Sequence, residues 1–574
     1  MRVVATAGHV DHGKSTLVLT LTGTDPDRFA EEKRRGVTID LGFAHTVLPS
    51  GASISFVDVP GHVRFLKNML AGVGAVDACL FVVAATEAWK PQSEEHLRIL
   101  ELLGVRHGVV ALTKVDLVDD DHRMLARMDI DDAVAGTFLA TAEVVEVAAT
   151  SGIGISELRD ALDRLVVATP MATDQGRPKL WVDRSFAAKG SGTVVTGTLI
   201  GGSVDVDDEL DIWPGDRRCR VRAIQSLGEH HEQIGPGNRV ALNLTGASRD
   251  DVGRGHVLIR GAQWRPSTVI DASLAVLASL DHPVSRRGAY VAYIGSGEWP
   301  VRVRVLGPDS IAPGESGLVR LHLPAALPLL PGERFILRES GRSETVGGGE
   351  ILDVAPVRPA SKARPDRSVD RVIDERGYIT VDELEAITGE RRTGTVGAWA
   401  IAPAYLEAMG RRIDALVADA GALGFDIAVL DEREREFVAS LDHVEVVAGR
   451  VRAAEVVDPL ASHPYVALLD AGGFATPAAD GVDRNELREL IRRGFVIERD
   501  GVWFTASLVD RAARVVAQLL HDNPDGFTAA QGRDAFAVTR KHALPLLNEL
   551  DARGITRRRG DLRIAGPRLP AIES

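Results

Sequence analysis

Residues 8–15 read Gly-His-Val-Asp-His-Gly-Lys-Ser, and this run constrains the chain more than anything after it. The pattern G-x-x-x-x-G-K-[ST] requires a strand before it and a helix after it. Met1 to Ala7 is β-forming and Thr16 to Leu21 is apolar, so both are present. The order predicts an α/β fold whose first strand ends in a turn that holds polyphosphate, because successive backbone N–H groups and a helix N-terminus make a positive concavity. Lys14 can then reach the β- and γ-phosphates and the Ser15 hydroxyl can ligate Mg²⁺, with Asp11, His12, Gly13 and Thr16 completing the contact set.

The base is read further along. Val109 to Leu112 has the pattern of a buried strand, and Thr113-Lys114-Val115-Asp116 leaves its end. An aspartate there accepts two hydrogen bonds from the guanine N1–H and exocyclic amine. Adenine offers no matching pair of donors, and an unpaired carboxylate is costly. Lys114 can pack its stem over the base. Thr113 stands where most GTPases have Asn. The loop from Ala148 to Gly154 is expected to bring the backbone amides of Ala148 and Ala149 to the guanine oxygen, although Ser is commoner at position 148.

Two segments between these supply the expected switch. Ile54 to Asp58 alternates like a strand and leads into Asp58-Val59-Pro60-Gly61-His62. Asp58 is placed to hold Mg²⁺ through water, Gly61 to donate its amide to the γ-phosphate, and His62 to position the attacking water. Upstream, Arg34-Arg35-Gly36-Val37-Thr38-Ile39-Asp40 offers the Thr38 hydroxyl as a further metal ligand. On spacing alone that stretch reads equally well as a basic, solvated loop.

Together G-H-V-D-H-G-K-S, R-G-V-T-I-D, D-V-P-G-H and T-K-V-D resemble the translational GTPases of the elongation factor Tu class. The resemblance implies GTP and GDP as ligands, Mg²⁺ as cofactor and hydrolysis triggered by the ribosome. It places Lys14, Ser15, Thr38, Asp58, His62, Lys114 and Asp116 in the roles above. It also implies that Val10 gates the catalytic histidine and that Asp11 helps bind a monovalent cation such as K⁺.

At 574 residues the chain is too long for one core, so a multidomain architecture is expected. The expectation is an α/β P-loop GTPase over 1–170, β-barrels over 178–262 and 266–355, and a Pro-containing linker over 356–366. Winged-helix (α+β) modules are then expected at 367–403, 404–455, 456–508 and 509–574. The barrels follow from short alternating runs such as Gly192–Leu199 and Arg239–Leu244. The winged helices follow from helices ending in hairpins, at Asp500-Gly501 and Gly560-Asp561, after the repeated pattern L-x-x-R-G-[FI]. Cys79 and Cys219 lie far apart with no C-x-x-C partner, which suggests neither disulfides nor zinc. No apolar stretch approaches the ~20 residues of a membrane span. A cytoplasmic monomer without membrane association is expected.

The formal net charge of −14 argues against indiscriminate nucleic-acid binding. The last module is the exception: from Val509 to Ser574 eleven Lys or Arg face eight Asp or Glu, a balance of +3. Arg540 and Lys541 sit where its recognition helix begins, and Arg557, Arg558, Arg559 and Arg563 decorate its wing. That combination suits the phosphates of structured RNA.

G-S-G-T-V-V-T-G-T-L resembles the second domain of elongation factor Tu, which pockets the aminoacyl end of tRNA. Asp183, Arg184 and Arg239 offer one acid and two guanidiniums, a polar cationic set suited to an anionic side chain such as a selenolate. The charge pattern alone is also that of an ordinary barrel surface. W-V-D-R-S-F and R-V-A-L-N, however, resemble the matching segments of the bacterial selenocysteine-specific elongation factors, in which these positions line the selenocysteine pocket. The four winged helices resemble the same family. That resemblance implies selenocysteinyl-tRNA, an mRNA hairpin beside a UGA codon and the ribosome as partners. Two other readings stay open from sequence: another tRNA-carrying GTPase of the initiation-factor type, or a GTP-sensing DNA-binding regulator.

Overall fold

In the first strand, β1 (Arg2–Ala7), every residue is buried. The same holds for β4 (Ala78–Ala84). Alternate residues of each feed opposite sides of the sheet. Val3, Ala5, Ala7, Phe81 and Val83 belong to one apolar cluster, and Val4, Leu80 and Val82 to another. A strand buried on both faces belongs in the middle of a helix-covered parallel sheet. That sheet adds β2 (Gly42–Val47), β3 (Ser53–Asp58), β5 (Gly108–Thr113) and β6 (Glu143–Glu146), in the order β2-β3-β1-β4-β5-β6. Only the β2–β3 pair is antiparallel. Among the described residues the domain also contains helices α1 (Lys14–Thr22), α2 (Pro91–Leu102), α3 (Asp120–Val134) and α4 (Ile155–Ala168).

This is a computed structural model, and it describes residues 2–27, 32, 34, 38–61, 68–69, 76–188, 192–215, 217–342, 344–447, 449–454, 460 and 462–571. The chain divides into two compact units, one of residues 1–394 with 400–402, the other of 395–399 with 403–574. No helix among the described residues is long and apolar enough to cross a membrane.

In the first unit, the α/β domain is followed by two barrels. The first contains β7 (Lys179–Trp181), β8 (Arg184–Ala188), β9 (Gly192–Ile200), β10 (Glu209–Trp213), β11 (Arg217–Ser226), β12 (Arg239–Thr245) and β13 (Val257–Ile259). Six of them close in the order β10-β13-β7-β9-β12-β11, with β11 pairing back to β10 and β8 laid along β9. Val195 and Leu199 alternate inward with Val240, Leu242 and Leu244. The second barrel closes β14 (Ser267–Val276), β17 (Ser316–Leu327), β16 (Gly297–Leu306), β15 (Tyr290–Ile294), β18 (Arg334–Glu339) and β19 (Glu344–Asp353) in that order. Its closing strand carries Gly347-Gly348-Gly349 for a steric reason. A Cβ on Gly349 would lie 1.8 Å from the Ser273 carbonyl oxygen, and one on Gly347 2.2 Å from that of Ala275.

The barrels are joined through Lys179, 1% exposed. Its ammonium donates to both Glu333 oxygens (2.7 and 2.6 Å) and to the Pro328 carbonyl (2.7 Å), and lies over the Trp181 and Trp264 rings. Val369, Val372, Ile379, Leu384 and Ile387 share a core with the second barrel. They come from α5 (Val369–Arg376), α6 (Val381–Thr388) and the segment between them. The first stretch beyond the linker is thus built onto that barrel. Its apolar residues are too few for a separate core.

After residues 395–399 the second unit has α7 (Pro403–Ala420) and α8 (Glu432–Ala439), then the hairpin β20 (Val444–Val447) and β21 (Arg450–Ala453). Helices α9 (Pro464–Ala471) and α10 (Arg484–Arg492) precede the hairpin β22 (Ile497–Arg499) and β23 (Val502–Phe504). Its turn holds Asp500 at φ 50° and Gly501 at φ 75°, the left-handed pair a two-residue hairpin turn requires. The last module has α11 (Ala506–Asp522), α12 (Ala529–Ala535), α13 (Arg540–Ala552) and the wing β24 (Thr556–Arg559) with β25 (Leu562–Ala565).

Candidate functional site

The turn after β1 borders a cavity of about 480 Å³. Lys14 is buried, and its ammonium donates to the Gly8 and His9 carbonyls (3.0 and 2.6 Å). Burial lowers its pKa to about 8, against the opposing charges of Asp58 and Asp11. Asp58, at the end of β3, is pushed up to about 6 by burial, against hydrogen bonds from Ser15 and Thr6. Ser15 Oγ lies 2.6 Å from Asp58 Oδ2 and 2.7 Å from Thr38 Oγ1. Two hydroxyls and a carboxylate from three distant segments therefore meet at one point. An all-oxygen set of this kind fits a hard divalent cation such as Mg²⁺. Gly61 faces the same cavity, and a Cβ there would lie 2.6 Å from Lys14 Nζ and 2.8 Å from the Val10 nitrogen. His62 lies outside the described residues.

Sequence reasoning missed the groups that brace this loop. The Gly8 N–H donates to His96 Nδ1 (3.1 Å) and the Val10 N–H to Gln92 Oε1 (3.1 Å), both on α2. Burial pushes His96 down to about 3, so it is a neutral acceptor. His12 is lowered to about 3 as well, chiefly by burial, and its ring lies 3.4 Å from the Val82 carbonyl. Asp27 was also missed; it accepts from Thr38 Oγ1 (2.9 Å). The only local signal was an Asp-Pro-Asp run after α1. Asp11 is exposed at φ 60°, and Thr16 is exposed on the first turn of α1.

At the base end, Asp116 is exposed and accepts a long bond from Ser151 Oγ (3.4 Å). Lys114, at φ 58°, borders the same cavity as Lys14. Thr113 faces the other way. It is buried, and its hydroxyl donates to the His12 carbonyl (2.7 Å), tying β5 to the phosphate loop. The structure departs from expectation at Ala148, whose amide donates to the Ile153 carbonyl (2.9 Å) and so is already engaged within the loop. Ala149, half-buried, is the remaining candidate for the guanine oxygen.

On the first barrel, Arg239 pairs bidentately with Asp183 (2.6 and 3.0 Å), which also accepts from Thr196 Oγ1 (2.7 Å). Asp183 is 6% exposed, so this is a built-in pair and not a solvated surface one. The Arg239 and Arg184 guanidiniums lie 3.4 and 4.1 Å from the centre of the Phe43 ring, on β2 of the α/β domain. Arg184 also donates to the Leu41 carbonyl. The three predicted pocket residues are thus brought together against that domain, and Arg239 alone of them lines a cavity of about 240 Å³.

Residues 1–168 match the family described as Elongation factor Tu GTP binding domain, and residues 518–565 match Elongation factor SelB, winged helix. The selenocysteine-specific elongation factor of Desulfomicrobium baculatum is 32% identical over 98% of this chain and 99% of its own length. The chain belongs to the selenocysteine-specific elongation factors. The Escherichia coli (strain K12) member is 36% identical over 63% of this chain and 57% of its own. The crystal structure of a bacterial selenocysteine-specific elongation factor, EF-Sec, matches with a TM-score of 0.72 at 25% identity, covering 98% of this chain and 99% of that one.

In this elongation factor the last module presents Arg540 and Lys541, exposed, on the first turn of α13. Arg557, Arg558 and Arg559 are exposed along β24. Arg563 is a correction to the sequence expectation. It is 4% exposed, paired with Asp551 (2.9 Å) and bonded to Asn548 (3.1 Å). Its position on β25 turns it toward α13, where it fastens the wing to the helix and presents nothing to a ligand.

Proposed function

We propose that this GTPase carries selenocysteinyl-tRNA to the ribosome at UGA codons marked by an mRNA hairpin. The convergence of Ser15, Thr38 and Asp58 beside Lys14 carries the nucleotide half of the reading. Ser15 and Thr38 would hold Mg²⁺ directly and Asp58 through water, and the ion would neutralise charge developing on the phosphates. Lys14 turns from the loop carbonyls to the β- and γ-phosphates. Gly61 donates its amide to the γ-phosphate, and His62 positions the water that attacks it. Asp116 and Lys114 hold the guanine, and Asp11 would help hold a K⁺ ion.

Membership of the family, together with the Asp183–Arg239 pair, supports the tRNA half. Arg184 and Arg239 favour an ionised selenol over a neutral serine hydroxyl, because a fixed cation in a water-poor pocket stabilises the anionic form. The GTPase and barrels hold the tRNA. The last module grips the mRNA hairpin through Arg540, Lys541 and Arg557–Arg559. Tethering raises the local concentration of the carrier at the recoded codon. Ribosome-stimulated hydrolysis then releases the tRNA.

The deciding experiment compares binding of the GTP-bound protein to selenocysteinyl-tRNA and to the same tRNA carrying serine. A preference of a hundredfold, about 2.7 kcal/mol, is expected. Equal affinities would reduce Asp183, Arg184 and Arg239 to barrel structure and leave a tRNA carrier of another specificity.

A further inference from the structure

We propose that Arg254 is the positioning residue through which the nucleotide state reaches the aminoacyl pocket. The inference rests on the reading of Asp183, Arg184 and Arg239 as that pocket. Arg254 lies in the loop between β12 and β13, and its guanidinium bonds three distant segments at once. Nε donates to the Asp183 carbonyl (3.0 Å), Nη1 to Asn68 Oδ1 (2.8 Å) and Nη2 to Asp40 Oδ1 (2.6 Å). Asp40 follows Thr38 by two residues, and Asn68 follows Gly61 by seven. Asn68 also donates to the Ile39 carbonyl (2.7 Å), so the two nucleotide-facing segments are tied to each other as well as to Arg254.

The next residue fixes the loop from behind. The Gly255 N–H donates to Ser296 Oγ (3.2 Å), and Ser296 donates to the Val182 carbonyl (2.5 Å). Ser296 is 5% exposed and belongs to the second barrel. A displacement of Asp40 or Asn68 is therefore passed to Asp183, because the Arg254 loop has little room to absorb it. Beyond Asp40 the chain continues into Leu41 and Phe43, which meet Arg184 and Arg239. The pocket is thus held at its backbone by Arg254 and at its cations by β2.

Segments that contact the γ-phosphate and its Mg²⁺ are ordered or released with nucleotide state. Coupling between two sites needs an element that both bias, and it is reciprocal. Arg254 meets the first condition by geometry. A planar fork can serve three acceptors in fixed directions; a lysine ammonium keeps the charge and loses that geometry.

The test uses the full chain with GDP or a non-hydrolysable GTP analogue. Hydrogen exchange of residues 180–186 reports the pocket without tRNA. The wild type is expected to show at least a roughly threefold difference in exchange between the two nucleotides. Arg254→Ala and Arg254→Lys are expected to abolish it, with thermal midpoint and nucleotide affinity near wild type. Asp40→Asn should behave alike, and the double variant should add nothing. A wild type indifferent to nucleotide, or variants that keep the difference, would overturn the proposal. Titration with selenocysteinyl-tRNA is read separately. If that tRNA shows no preference while the exchange difference still depends on Arg254, the carrier reading falls and the coupling stands.

Discussion

Thr113 shows how one hydroxyl can tie a strand end to a distant loop. Its position at the end of β5 suggested the base, yet its bond runs to the His12 carbonyl, inside the phosphate loop. Thr113→Val is nearly isosteric and leaves that buried carbonyl without its donor, a loss of about 1–3 kcal/mol. We expect GTP and GDP to bind roughly tenfold more weakly, with the preference for guanine over adenine unchanged, as measured by equilibrium titration with each nucleotide. A lost base preference would show that Thr113 meets the base after all. The grouping of Lys14, Ser15, Thr38 and Asp58 around one cavity was legible because their motifs are local and tightly spaced. Gln92, His96 and Asp27 were not, because each acts only after the fold brings it back to residues distant in sequence.

At the scale of elements, periodicity was legible and close approach was not. The alternation of Gly192–Ile200 announces a half-buried strand by itself. Gly347 and Gly349 of β19 acquire their reason only from the carbonyls of β14, and Gly348 from that of Phe335 on β18. The last wing makes the same point. Four arginines looked equivalent in sequence, but pairing of Arg558 with Arg563 across the hairpin places them on strands with different neighbours. Arg563→Ala removes a buried guanidinium from the half-buried Asp551, and we expect a loss of about 2 kcal/mol in stability. Replacing Arg557, Arg558 and Arg559 together is expected to change stability by less than about 1 kcal/mol while weakening hairpin RNA. Chemical denaturation and an RNA titration on the same variants separate the two effects. Equal stability losses in both would mean that the wing arginines are structural throughout.

For the molecule as a whole, charge decides how a basic module can work on an acidic chain. The balance of +3 from Val509 onward leaves −17 on the rest. Near physiological salt the screening length is about 8 Å, so RNA bound at the last wing would feel Arg557–Arg559 and little of any charge well beyond that distance. Each phosphate contact releases counterions and adds slightly less than one unit to the salt slope of log K. We therefore expect the wing triple variant to bind the hairpin with a slope shallower by about 2 to 3 units, while the slope for tRNA stays unchanged. Toward 0.01 M salt the screening length grows to about 30 Å, and the acidic remainder begins to repel the same RNA. The log–log plot for the wild type should then flatten where that for an isolated basic peptide of the wing keeps rising. A straight plot at all salt concentrations would mean that the hairpin meets only the last module's own field, and that the acidity of the remaining chain has no part in suppressing unspecific RNA.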